Sequence, residues 1–182
     1  LTTINQPACF GQLGSISWSA NGGGQTLFPT RITNNQTGTI IFNQSTLENT
    51  LYNVSLQDGN YNLYVEDEYG CSDILNFSIV SPNLLTANIS TDSVLCFGGN
   101  TGSMLIEGVG GTPPYVPNYG THPTTGAPLN ENALTSGTYT VTLTDANGCL
   151  ANPTFYTVEI FEPTQLHCLL YTSPSPRDNK AS

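Results

Sequence analysis

A thirteen-residue stretch, GNYNLYVEDEYGC from Gly59 to Cys71, returns 78 residues later as GTYTVTLTDANGC from Gly137 to Cys149. The matched positions are Gly59/Gly137, Tyr61/Tyr139, Leu63/Val141, Val65/Leu143, Asp67/Asp145, Gly70/Gly148 and Cys71/Cys149. They read Gly-x-Tyr-x-aliphatic-x-aliphatic-x-Asp-x-x-Gly-Cys, one strand and its turn written twice. Self-similarity at a fixed period constrains a chain more than composition does, because each copy must fold to the same unit.

A second match lengthens the unit. Cys9-Phe10-Gly11 followed by Gly14-Ser15-Ile16 recurs as Cys96-Phe97-Gly98 followed by Gly102-Ser103-Met104, at an offset of 87. The two offsets differ by 9, so the first copy carries about nine extra residues, which the sequence places in its Asn-rich middle. Loop length of this kind costs little. In 182 residues two copies leave about 80 residues each, a size that buries only about 60% of the unfolded surface and often needs covalent help.

Only 9% of residues are charged, and three basic residues, Arg31, Arg177 and Lys180, face thirteen acids for a net charge of −10. A surface so poor in base excludes nucleic acid as a partner. The acidity fits the solubilising charge of a secreted protein. No segment reaches the ~20 apolar residues of a membrane-spanning helix, so no membrane insertion is expected. Leu1 is not an initiator Met and no leader pattern precedes the first copy, which reads as an internal start within a longer chain. From Cys168 to Asp178 the run CLLYTSPSPRD is similar, codon for codon, to the in-frame translation of a transposon-end adapter used in sequencing libraries. Residues 167–182 are therefore read as an adapter-derived, disordered tail outside the fold. Removing Cys168 takes the cysteines from five to four, two per copy.

Tyr139, Val141 and Leu143 alternate with threonines, the period-2 pattern of a half-buried strand. Asp145-Ala146-Asn147-Gly148 follows as a turn, and Phe155 to Ile160 returns as the partner strand. The first copy repeats this with Asp67 to Gly70 and Ile74 to Val80. Earlier strands are expected at 14–20, 26–33, 38–43 and 51–56, then at 84–90, 103–109 and 115–119. Helical periodicity is absent. Short strands separated by Gly, Pro and Asn turns predict an all-β fold of two tandem immunoglobulin-like antiparallel sandwiches, residues 1–82 and 83–166, with Tyr61 and Tyr139 at the place of a tyrosine corner.

Three features together resemble the SprB repeat, a module of gliding-motility and cell-surface adhesins. They are Cys96 to Asn100 (Cys-Phe-Gly-Gly-Asn), the step Gly110-Gly111-Thr112-Pro113-Pro114-Tyr115, and the Gly137 to Cys149 cassette. The second copy matches over nearly its whole length. The first matches at both ends and departs in the middle, where it has Gly22-Gly23-Gly24-Gln25-Thr26-Leu27. The resemblance implies a non-catalytic, PKD- or immunoglobulin-like repeat of a long secreted polypeptide displayed on an outer membrane and exported by a type IX-like route. Its partners would be neighbouring repeats and possible surface glycans. The competing expectation is an accessory carbohydrate-binding or spacer module of a secreted hydrolase.

Four cysteines in an extracellular chain favour disulfides, and two per copy favours Cys9 with Cys71 and Cys96 with Cys149, provided the Cα atoms come within about 7 Å. No cofactor is expected. Asp67 and Asp145 are calcium candidates, the former within Glu66-Asp67-Glu68, although the second copy has Thr144-Asp145-Ala146 there and turn capping accounts for the shared Asp. No catalytic motif occurs, and His122 stands alone in a Pro/Gly-rich loop. Trp18, Tyr115 and Tyr119 could stack on sugars or pack a core. Asn35, Asn43, Asn53, Asn76 and Asn88 head Asn-x-Ser/Thr sequons that matter only in a glycosylating host.

Overall fold

The computed structural model describes residues 2–22, 26–120 and 131–168. Among them no helix forms. The strands are β1 (Thr2–Asn5), β2 (Gly14–Trp18), β3 (Leu27–Asn34), β4 (Ile40–Leu47), β5 (Tyr52–Leu56), β6 (Gly59–Glu66), β7 (Ser72–Ile79), β8 (Thr86–Asp92), β9 (Gly102–Val109), β10 (Val116–Asn118), β11 (Asn132–Leu134), β12 (Gly137–Thr144) and β13 (Tyr156–Ile160). The protein is all-β and built of antiparallel sheets, as the alternation predicts.

In the first copy a three-stranded sheet, β1-β2-β5, accompanies a four-stranded sheet, β4-β3-β6-β7. This is the strand distribution of an immunoglobulin-like sandwich. Alternate residues turn inward on both sheets: Ile16 and Trp18 from β2, Ile32 from β3, Leu63 from β6, Phe77 and Ile79 from β7 form one buried cluster. Each such side chain contributes roughly 1.5–3 kcal/mol by leaving water. Trp18 is wedged edge-on against Phe42 at 5.1 Å and stacked on Tyr52 at 5.8 Å, which fixes how the sheets meet. Two buried polar groups satisfy each other, Thr30 Oγ1 and Thr46 Oγ1 lying 2.8 Å apart.

The second copy repeats the order. Strands β8, β9 and β11 form one sheet as β11-β9-β8, and β10, β12 and β13 form another as β10-β12-β13. These correspond in sequence to β1-β2-β5 and β3-β6-β7. Residues 121–130, His122 among them, lie outside the described residues. Residues 169–182 are outside them as well.

Two short strands were not anticipated. All four residues of β1 are exposed, and β11 has only three residues around a register shift between Asn132 and Leu134, so neither shows alternation. β4 starts later than the expected 38–43, because Asn34 and Gly38 close the preceding turn through Gly38 N donating to Asn34 O at 2.8 Å, and it ends later because it stays paired with β3 as far as Leu47 opposite Leu27.

By packing, residues fall into two compact units. One comprises the described parts of 1–88 with 106–118 and 141–156; the other comprises the described parts of 89–105, 119–140 and 157–182. In the second, Gly102 sits so close to Ile160 and the Leu134 carbonyl that a Cβ would lie 2.8 and 2.9 Å from them. In the first, a Cβ on the equivalent Gly14 would lie 2.7 Å from both Ile79 and the Asn5 carbonyl. The Gly-Ser pair that marks the second sequence match is thus a backbone packed directly against the last strand of its own copy.

Candidate functional site

The matched cassette positions have matched geometry. Gly59 and Gly137 take φ of 154° and 149°, a conformation that L side chains rarely adopt, and each begins its strand. Tyr61 Oη donates to Gln57 O at 2.9 Å and Tyr139 Oη to Thr135 O at 2.7 Å, so both are tyrosine corners four residues back along the chain. Tyr61 and Leu63, and Tyr139, Val141 and Leu143, are buried.

The turns also agree bond for bond. Asp67 Oδ1 accepts from Tyr69 N (2.9 Å) and Cys71 N (2.8 Å); Asp145 Oδ1 accepts from Asn147 N and Cys149 N, both at 2.9 Å. Asp67 N donates to Cys71 O and Asp145 N to Cys149 O, at 2.9 and 3.0 Å. Gly70 and Gly148, with φ of 82° and 78°, donate back to the same Asp carbonyls. Both calcium candidates are therefore committed to backbone N–H donors as turn caps. Among the described residues no three His, Cys, Asp or Glu side chains converge in a way that could hold a metal ion.

The copies diverge at sulfur. Cys9 is bonded to Cys149, with Cα atoms 5.6 Å apart, whereas Cys71, Cys96 and Cys168 are exposed and free. The expected pairing of Cys9 with Cys71 and Cys96 with Cys149 is thus replaced by a bond from the opening loop of the first copy to the cassette of the second. Strand geometry explains why. Gln6 Nε2 donates to Ser78 O at 3.1 Å, and Val80 N to Gln6 Oε1 at 2.8 Å, which fixes the opening loop beside the end of β7. Cys71 precedes the start of that eight-residue strand, a distance of roughly 25 Å. The three residues from Gln6 to Cys9 reach only about 10 Å. Cys149, by contrast, is brought to Cys9 by the chain that leaves β7: Gly111 N donates to Asn83 O and Asn152 N to Leu85 O, each at 2.8 Å. With Cys149 taken, Cys96 has no partner in its own copy.

Around this bond the Gly-Gly-Thr-Pro-Pro-Tyr step acts as a clamp. Thr112 N donates to Asp145 Oδ2 at 2.9 Å, Ala146 N donates to Thr112 O at 2.9 Å, and Asn147 Nδ2 donates to Ala8 O at 3.1 Å. Gly111 lies where a Cβ would come within 2.9 Å of Asp145 Oδ2. Burial alone would push the Asp145 carboxyl up, but the N–H donors of Cys149, Thr112 and Asn147 outweigh it and hold the group below its usual value. A cleft lined in part by Phe10, Leu84, Leu85 and Leu150 flanks the disulfide. The sequence offered Thr112 as part of the family-like step, but nothing in it connected that step to Asp145 or to Ala8.

Among the aromatic candidates Trp18 resolves as packing. Trp18 is 1% exposed and has no open face for a sugar. Tyr115 is half-buried over Gly108 and donates to Gly110 O at 2.8 Å; Tyr119 is half-buried beside Glu131. Two sequon asparagines are hydrogen-bonded through Nδ2, Asn35 to Asn62 and Asn53 to Ser17, both at 2.7 Å. No helix among the described residues is long and apolar enough to cross a membrane.

No protein-family model matches the chain, and no curated protein does. Among solved structures the chain is similar to the full ectodomain (Ig1-Ig3) of mouse nectin-like molecule 4, with TM-score 0.36 and 14% identity over 92% of this chain and 65% of that one. The chain therefore spans a little under two thirds of that ectodomain. The strand order and tyrosine corners carry the assignment to an immunoglobulin-like sandwich.

Proposed function

We propose that the chain is a non-catalytic segment of a large secreted surface adhesin, of the SprB-repeat kind, in which tandem sandwiches form a stalk and bind weakly and multivalently. The observation that carries this reading is the Cys9–Cys149 bond, which ties one copy of the repeat to the cassette of the next. A covalent tie between successive copies suits an element that must stay extended under load, and a disulfide suits an oxidising, extracellular location. Affinity in such an array arises from many linked copies, so no deep site is needed in any one of them. Neighbouring repeats and surface glycans are its partners in this reading.

The sequence of the flanking gene tests it. Further Gly-x-Tyr to Gly-Cys cassettes on either side are the expected result, and an adjoining hydrolase domain would overturn the adhesin reading in favour of an accessory module.

A further inference from the structure

The sulfur chemistry of the chain is half used. Cys9 is an opening-loop cysteine and Cys149 a cassette cysteine, and they are bonded. Cys96 is the second opening-loop cysteine and Cys71 the first cassette cysteine, and both are exposed and free. We propose that Cys96 and Cys71 are the open halves of the same staple, Cys96 accepting the cassette cysteine of a following copy of the repeat and Cys71 the opening-loop cysteine of a preceding one.

The local geometry of each free thiol is that of its bonded counterpart. In the opening loops Gln12 N donates to Cys9 O at 3.2 Å and Gly99 N to Cys96 O at 2.9 Å, while Gly11 and Gly98 have φ of 75° and 72°. Phe10 and Phe97 are 56% and 53% exposed. In the cassettes the Asp caps fix Cys71 N and Cys149 N at 2.8 and 2.9 Å. What differs is cover. Cys149 is 9% exposed against Ala8 and Cys9, whereas Cys71 lies open beside Tyr69, and Cys96 lies open between Leu95 and Phe97. Tyr69 and Leu95 are each 78% exposed. Large apolar side chains left open beside both thiols are the surface that the next copy would cover.

Forming the bond joins two sulfurs and releases two protons and two electrons. The acceptor is a disulfide, either a small-molecule disulfide or an oxidised thiol–disulfide oxidoreductase, which leaves as two thiols. The inference rests on the repeat geometry alone and holds whether the array is an adhesin or a spacer in an enzyme.

The test uses the full chain with Cys168→Ser to silence the third thiol, oxidised at high protein concentration with glutathione disulfide. The expected product is a ladder on a non-reducing gel, joined through Cys71–Cys96 peptides in mass spectrometry, with Cys9–Cys149 retained as the sign of a folded chain. Adding Cys71→Ser or Cys96→Ser separately abolishes the ladder, and mixing those two variants restores a dimer and nothing larger. Glutathione-capped monomers only, a Cys71–Cys96 bond closed within one chain, or Cys71–Cys71 and Cys96–Cys96 dimers as abundant as the mixed one would each overturn the proposal.

Discussion

The turns Asp67–Cys71 and Asp145–Cys149 share their sequence signature and the same four hydrogen bonds, yet Asp67 is half-buried and Cys71 exposed in one, whereas Asp145 and Cys149 are both buried in the other. Asp145 is 3% exposed and accepts an additional bond from Thr112, while Cys149 carries the disulfide. The contrast separates what a repeat needs in order to fold from what it acquires when a neighbouring loop docks. Glycine φ, the tyrosine corner and the Asp cap belong to both copies. The cover over Cys149 and the use of its sulfur depend on Ala8 and Cys9 being present on the other side, whereas Asp145 is held by Gly111 and Thr112 of its own copy.

The sharpest way to break this comparison is to remove the sulfurs pairwise. Replacing Cys9 and Cys149 together with Ser opens a closure spanning 140 residues, for which loop entropy predicts a loss of about 4–5 kcal/mol from the unit that contains them. Cys71→Ser, at the equivalent cassette position in the exposed turn, is expected to change stability by no more than about 0.5 kcal/mol. Urea unfolding of the oxidised proteins measures both. A similar loss at the two positions would mean that the cassette cysteine has a packing role independent of docking.

How far the residues announced this arrangement can be stated position by position. Tyr61, Tyr139 and the aliphatic residues after them were legible because strand period and tyrosine-corner placement are local properties. Asp67 and Asp145 were legible as turn caps for the same reason. The partner of Cys149 was not, because two cysteines per copy is compatible with a bond inside each copy or across copies. What decides it is the length of β7, which keeps Cys71 a strand away from Gln6, and that is a tertiary fact. β1 and β11 escaped because an exposed or three-residue strand carries no alternation. The clamp escaped because Thr112 reaches Asp145 across 33 positions of sequence.

A milder experiment sharpens the other half of the comparison, the shared frame. Gly14 and Gly102 both lie against the last strand of their own copy, with a backbone carbonyl close enough to block a Cβ. Gly14→Ala and Gly102→Ala are each expected to cost about 1–3 kcal/mol, since a carbonyl held in a sheet cannot yield as a side-chain tip would. Equal losses, read from thermal or urea unfolding of the two variants, are the prediction. A tolerated alanine at one site only would show that the two copies do not share this contact.

The smallest effect expected is a pH dependence confined to the buried turn. In the unfolded chain Asp145 titrates near the ordinary carboxylate value of about 3.9. In the folded chain its three backbone donors outweigh burial and hold it lower. A depressed folded pKa means that the unfolded state takes up the proton first as pH falls. The stabilisation is therefore complete above about pH 4 and is lost progressively below that, down through the folded value. Asp145→Asn keeps the shape of the turn and removes the titration, so its stability, already lower at neutral pH, should fall less steeply in that acid window than that of the parent. Unfolding midpoints measured from pH 6 downward compare the two slopes. Parallel curves would mean that the carboxylate charge adds nothing to the clamp, leaving the disulfide and the packing around Ala8 to distinguish the docked turn from the open one.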